Sequence, residues 1–260
     1  MFEFQNVWFK KQGQWILKNI NWQVKAGERW GILGLNGSGK TTLMQLINGY
    51  MWATKGQITV LDEVFGKTSL PDLRRSIGWV SSALQQRLYE HETAEEIVAS
   101  GKFATIGLHV LATEELMNEA KTQLIASGGE HLIGKKYEVC SQGQRQLILI
   151  ARALMAEPKL LILDEPCTGL DLVAKRNLLN HIDILARHAP QTTLLYITHH
   201  TEELLPSFDK MLLLKSGEIF AKGATQELIT KDSLSAFFEE EINVELQKDG
   251  QVTTYLNRRL

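Results

Sequence analysis

The sequence predicts an α/β fold, a mainly parallel sheet covered by helices, on three observations. Short strand-like apolar runs alternate with helix-like runs through much of the chain. A glycine-rich segment sits between one such strand, Arg29 to Leu33, and a helical run from Thr41 to Tyr50 in which Leu43, Leu46 and Ile47 recur at helical spacing. Between roughly Ala83 and Ala156 strand signals nearly vanish, so this stretch reads as a helical insertion in the α/β core.

Taken in order, Met1 to Asn6 alternates like a short strand and lacks the basic start and apolar core of an export signal. Ile20 to Val24 and Arg29 to Leu33 read as an antiparallel piece joined by the turn-like Lys25-Ala26-Gly27-Glu28. In the insertion, Thr93 to Ala99 and Thr113 to Ser127 read as helices, and a further helical run covers Leu147 to Met155. Leu160 to Leu163 is an apolar strand. Leu178, Ile182, Leu185 and Ala186 mark another helix, followed by a strand at Leu194 to Thr198 and a hairpin, Met211 to Leu214 with Glu218 to Ala221, turning on Lys215-Ser216-Gly217. Past Thr225 come a helical part around Leu234 to Phe238 and a strand-like Ile242 to Leu246, with no recognisable chemistry.

Composition narrows the function. With 260 residues, 44% hydrophobic and 22% charged, the chain suits one sizeable α/β domain or two small ones. Lys+Arg 28 against Asp+Glu 30 gives a net charge of −2, which disfavours a nucleic-acid partner. Cys140 and Cys167 form no metal-ligand spacing, and the expected setting is a reducing cytoplasm. No apolar stretch approaches the roughly 20 residues of a bilayer-spanning helix.

Gly34-Leu35-Asn36-Gly37-Ser38-Gly39-Lys40-Thr41 fits G-x-x-x-x-G-K-[ST] between strand and helix. In such a loop Gly34, Asn36, Gly37, Ser38 and Gly39 bend the backbone so that N–H groups face a phosphate at a helix N-terminus. Lys40 supplies the full charge, Thr41 a hydroxyl for Mg²⁺, and Thr42 continues the phosphate-binding segment. Leu160-Leu161-Ile162-Leu163-Asp164-Glu165 is a buried strand delivering two carboxylates to its C-terminal edge. Asp164 suits Mg²⁺, and Glu165, taken as the next extended residue pointing the other way, can accept a proton from an attacking water. His199 follows another apolar strand; a histidine there is more often structural, but it can also bond a γ-phosphate or the water.

Between these motifs lies Cys140-Ser141-Gln142-Gly143-Gln144-Arg145-Gln146, opening a helical run. This resembles the signature of ATP-binding-cassette (ABC) ATPases, and the intervals from Ser141 to Asp164 and from Asp164 to His199 resemble that family's spacing. The resemblance covers about residues 1–225 and leaves 226–260 as a small C-terminal extension, with the helical subdomain inserted at about 83–156. It implies a P-loop NTPase core with an antiparallel β subdomain and a helical signature subdomain. By the same resemblance Ser141, Gly143 and Gln144 contact the γ-phosphate of ATP held by a second copy, Thr168-Gly169-Leu170-Asp171 is a loop crossing the dimer interface, and Thr198-His199 carries the switch histidine. The implied catalytic set is Lys40, Glu165 and His199, with ATP and Mg²⁺ bound. The implied function is hydrolysis of ATP to drive transport through a separate membrane permease; the rival is a soluble cassette with a regulatory or repair-type role. A degenerate module without hydrolysis is disfavoured by the presence of Lys40, Asp164, Glu165 and His199.

Four positions depart from the family pattern. Lys11 stands where an aromatic ring usually stacks on adenine, with Trp15 or Phe9 as substitutes or as strand packing. Ser82 replaces the glutamine that ligates Mg²⁺ and senses the membrane partner, with Gln85 and Gln86 either taking that role or lying on the surface. Cys140 and Gln142 replace a leucine and a glycine, neither of which contacts phosphate. The serine-rich loop Ser81 to Gln85 is weakly similar to single cassettes of the molybdate-uptake or orphan type.

Overall fold

The computed structural model describes residues 1–66, 70–247 and 251–256. The chain forms two compact units, one of Met1–Ser69 with Thr193–Leu260 and one of Leu70–Thr192.

The first unit begins with β1 (Phe2–Lys11) and β2 (Gln14–Val24), paired antiparallel from Phe2↔Val24 to Lys11↔Gln14. The two residues between them, Gln12 and Gly13, have φ of 47° and 84°. Two successive left-handed residues make the tight turn whose twist matches a hairpin. β4 (Lys55–Val60) pairs antiparallel with β1, and β5 (Glu63–Val64) completes the order β2-β1-β4-β5. Between them in sequence lie β3 (Arg29–Gly34) and α1 (Lys40–Ile47).

The expected antiparallel piece from Ile20 to Leu33 is corrected here: β2 pairs with β1, whereas β3 lies parallel between β8 (Thr193–Thr198) and β9 (Lys210–Lys215). Burial supplies the reason. Toward its end β2 alternates, with Ile20, Trp22 and Val24 buried and the residues between them exposed, so one face meets water. β3 is buried at every position after Arg29, which demands cover on both faces and suits a parallel sheet.

The second unit holds α2 (Leu70–Arg75), β6 (Ile77–Val80), α3 (Ser82–Gln85), α4 (Ala94–Ser100), α5 (Glu114–Ala126), α6 (Gln142–Leu154), β7 (Leu160–Asp164) and α7 (Leu172–His188). β6 and β7 run parallel, in register from Ile77↔Leu160 to Val80↔Leu163. The helices expected from Thr93 and Thr113 form, each started by the threonine side chain accepting a backbone N–H of the first turn. The helical run expected from Leu147 begins a turn and a half earlier, at Gln142, because Ser141 supplies the cap. Gly101 lets the end of α4 lie directly on α6: a Cβ there would stand 2.0 Å from the Arg152 carbonyl oxygen. Arg152 is buried and donates from Nε to Ser100 Oγ and from Nη2 to the Thr105 carbonyl.

The chain returns to the first unit with β8 and β9, then β10 (Glu218–Ala224), α8 (Thr225–Leu228), α9 (Lys231–Phe238), β11 (Ile242–Leu246) and β12 (Val252–Leu256). The expected β9–β10 hairpin turns on Ser216 and Gly217, both left-handed. Residues 248–250 and 257–260 of the expected C-terminal extension lie outside the described residues. The rest is integral: Leu234, Phe237 and Ile242 share a core with Leu33, Leu204, Met211 and Leu213. Among the described residues, no helix is long and apolar enough to cross a membrane.

Candidate active site

In the first unit the glycine-rich loop leaves β3 and enters α1. Gly37 and Gly39 have φ of 78° and 104°, a left-handed geometry that the loop requires and that side chains resist. At Gly34 space is the constraint, since a Cβ would stand 2.5 Å from Ser38 Oγ. Lys40 is buried, and its ammonium donates to the carbonyl oxygens of Gly34 at 2.8 Å and Leu35 at 3.2 Å. Among the described residues the buried Ser38 hydroxyl has no hydrogen-bond partner, while the Ser38 carbonyl accepts the Gly217 N–H. Asn36 and Thr41 are exposed and Thr42 half-buried.

The start of α1 differs from that of α4, α5, α6 and α7. Those four helices have a Thr, Ser or Asp side chain accepting an N–H of the first turn. α1 begins at left-handed Gly39 with no side-chain cap and no acidic residue in its first turn. An unscreened helix N-terminus, a buried ammonium and an unsatisfied hydroxyl on one loop fit a polyphosphate anion. His199 follows β8, and the register Leu33↔Thr198 puts Gly34 and His199 at the ends of neighbouring parallel strands. The strand end beneath His199 is held by Glu203, which is 2% exposed and accepts the hydroxyls of Tyr196 at 3.1 Å and Thr198 at 2.6 Å. Thr198 in turn accepts the His200 N–H at 3.0 Å. Glu203 carries no motif, and nothing in the sequence singles it out from Glu202.

For adenine the structure removes one substitute: Phe9 is buried in the β1–β2 face. Trp15 stays half-buried, its ring edge-on to Trp8 at 5.3 Å with the ammonium groups of Lys10 and Lys55 over it. Lys11, last in β1, is exposed.

In the second unit the register Val80↔Leu163 sets Ser81 and Asp164 at the same level of the β6–β7 pair. Asp164 ends β7 and is half-buried. Glu165 does not continue the strand: its φ is 52°, so the expected alternation of the two carboxylates is replaced by a left-handed turn in which the Glu165 carbonyl accepts the Thr168 N–H. A non-glycine residue held in this region stores strain of the kind that collects at functional sites. Ser82 is the exposed first residue of α3, behind the capping hydroxyl of Ser81. Gln86 is exposed, but Gln85 is committed elsewhere, its amide bonded to Gln142.

Ser141 and Gln144 form a capping box at the head of α6: Ser141 Oγ accepts the Gln144 N–H at 3.4 Å, and Gln144 Oε1 accepts the Ser141 N–H at 3.0 Å. The N–H groups of Gln142 and Gly143 lie at the open end between them. Gly143 also allows a close approach to α7, since a Cβ would stand 3.3 Å from that of Ala174. Arg145 anchors the segment before the helix, donating to the carbonyls of Cys140 and Glu138 and lying over the Tyr137 ring. Cys140 fills its buried position as a protonated thiol, its pKa raised by burial. Asp171 caps α7, accepting the N–H groups of Val173 and Ala174 at 2.9 Å.

Among the described residues, no group of three or more His, Cys, Asp or Glu side chains could hold a metal ion. That donor set fits Mg²⁺ only in the manner in which it is bound through one or two carboxylates together with substrate phosphates.

The ABC transporter family matches residues 17–168. The chain is 47% identical over 255 residues to the uncharacterized ABC transporter ATP-binding protein YlmA of Bacillus subtilis (strain 168), covering 98% of this chain and 97% of that protein. Among solved structures it resembles cbiO1 of Clostridium perfringens, part of the ABC transporter complex cbiONQ, with a TM-score of 0.78, 27% identity and coverage of 90% and 92%. It also resembles the dimeric post-hydrolysis state of the ATP-binding cassette MJ0796 bound to ADP and Pi, with a TM-score of 0.73, 26% identity and coverage of 86% and 98%. Motif order, loop geometry and near full-length similarity agree, and the chain belongs to the ABC transporter family as one of its ATP-binding, ATP-hydrolysing subunits.

Proposed function

We propose that this subunit works as a pair of identical copies at the inner face of a membrane, closing on MgATP to drive a separate permease. The observation that carries the reading is the uncapped start of α1 with buried Lys40 and the unsatisfied Ser38 hydroxyl. Gly34 to Thr42 bind the phosphates, and Lys40 neutralises charge between β and γ. Thr41 and Asp164 would hold Mg²⁺, with Ser82 as a further oxygen donor, and the ion would supply charge neutralisation on the phosphates. Glu165 takes a proton from the attacking water, and His199 orients that water against the γ-phosphate. Residues 1–225 act as the cassette and 226–260 as its extension.

Ser141, Gly143 and Gln144 present a helix N-terminus to the γ-phosphate on the second copy, and Asp171 fixes the neighbouring loop. Exposed apolar side chains support a partner on that face: Val139, Leu172 and Val173, beside Ser141 and Asp171 in the chain, are 69%, 83% and 67% exposed. The dimeric state of MJ0796 points the same way. The test is the Glu165→Gln variant with MgATP. It should elute as a dimer and retain a multi-span protein from membranes, whereas Lys40→Ala should stay monomeric; a monomeric Glu165→Gln chain, or one retaining only soluble partners, would overturn the reading.

A further inference from the structure

Gln142, one of the departures from the family pattern, touches Gln85, a candidate substitute at another. Gln85, at the end of α3, donates from Nε2 to Gln142 Oε1 at 2.8 Å and accepts from Gln142 Nε2 at 3.0 Å, so the two amides satisfy one another in a closed pair. Gln85 Oε1 also accepts from Gln146 Nε2 at 3.3 Å. Gln146 is 3% exposed, and its own Oε1 has no partner among the described residues. A closed amide pair beside a buried polar group is geometrically demanding, because losing either partner strands donors and acceptors that water reaches poorly.

The pair joins two short segments with different tasks. One is the loop leaving β6, where Ser82 stands in place of the family's glutamine. The other is the first turn of α6, where Gln142 follows the capping Ser141 directly. A displacement of α3 therefore reaches Ser141 and Gly143 through one amide pair and one rigid helix start. We infer that Gln85 is a positioning residue that ties the loop after β6 to the signature turn through Gln142 and Gln146, so that the loop sets the orientation of the turn. This use of the turn rests on the function proposed above; the tie itself does not.

The experiment uses the full chain with Gln85→Ala, Gln142→Ala, the double variant and Gln85→Glu, whose carboxylate still accepts from Gln142 and Gln146. Hydrogen exchange of the amides of residues 143–147, without nucleotide, should quicken at least about threefold in Gln85→Ala and return towards the parent rate in Gln85→Glu. With MgATP, Gln85→Ala should lower kcat at least about fivefold at unchanged KM and unchanged ADP binding, and the double variant should be no worse than either single one. Unchanged exchange in Gln85→Ala, or single losses that multiply in the double variant, would overturn the inference. If the parent chain itself failed to hydrolyse ATP, the proposed function would fall, and exchange alone would decide the tie.

Discussion

Thr201 and Thr254 share a hydrogen bond through their hydroxyls, which fastens β12 to the short 3-10 turn Thr201–Glu203 directly after His199 and His200. The C-terminal extension therefore braces the segment that carries the proposed switch histidine, together with the buried Glu203 beneath it. Thr254→Val should cost about 1 kcal/mol of stability by stranding the buried Thr201 hydroxyl. Phe237→Ala, which empties a fully buried ring position in the same unit, should cost about 3–5 kcal/mol. Urea denaturation reads both. In turnover, Thr254→Val should lower kcat several-fold and leave KM for ATP alone; unchanged kcat would make the brace purely structural.

Ser141 has one observed job, capping α6, and one proposed job, contacting a phosphate, and substitution can separate them. As the cap of α6 it is replaceable by Asp, a good N-cap whose charge also suits the helix N-terminus. As a contact to a phosphate it is not, because a carboxylate there repels the anion. Ser141→Asp should therefore keep stability within about 0.5 kcal/mol and lose at least about a hundredfold in hydrolysis. Ser141→Ala should lose about 1 kcal/mol of stability through the missing cap. An active Ser141→Asp variant would leave the serine with capping alone.

Gly101 owes its place to space. Its backbone is ordinary helix, with φ of −61°, but a methyl group there would overlap the Arg152 carbonyl. Gly101→Ala should push α4 from α6 and disturb the bonds of Arg152 to Ser100 and Thr105, destabilising the protein by more than about 2 kcal/mol. A shift in the denaturation midpoint smaller than a surface Gly→Ala control would contradict this.

The phosphate loop, the β7 carboxylates and the β9–β10 hairpin were legible because each is local: the signal and the structure it makes lie within a few residues. The pairing of β2 and β3 was not, since adjacency in sequence suggested a hairpin while burial on both faces drew β3 between β8 and β9. The left-handed turn at Glu165 contradicts an extended strand end, and strain of that kind leaves no mark in periodicity. Glu203 and the Gln85–Gln142 pair were hidden for a related reason. Their partners come from other turns or distant segments, and a glutamine facing another glutamine reads in the sequence as two surface residues.

Glu28 gives the fold an acid-sensitive point. Its carboxylate accepts from Lys210 Nζ, from Trp30 Nε1 at 2.8 Å and from the Lys25 N–H at 3.0 Å, closing the turn between β2 and β3 onto the start of β9. Burial pushes its pKa up, but the bonds from Lys210, Trp30 and Lys25 together outweigh it and leave the pKa below the ordinary 4.5. A depressed folded-state pKa means the unfolded chain takes up the proton first as pH falls. The stabilisation is thus fully present above the unfolded value near 4.5, declines below it and is gone once pH passes the lower folded value. Glu28→Gln should be less stable than the parent at pH 7 by about 1 kcal/mol and should converge with it in acid. Denaturation midpoints of the two proteins between pH 7 and the acid range test this; a gap that stays constant or widens towards low pH would show that the carboxylate charge is not what holds the turn.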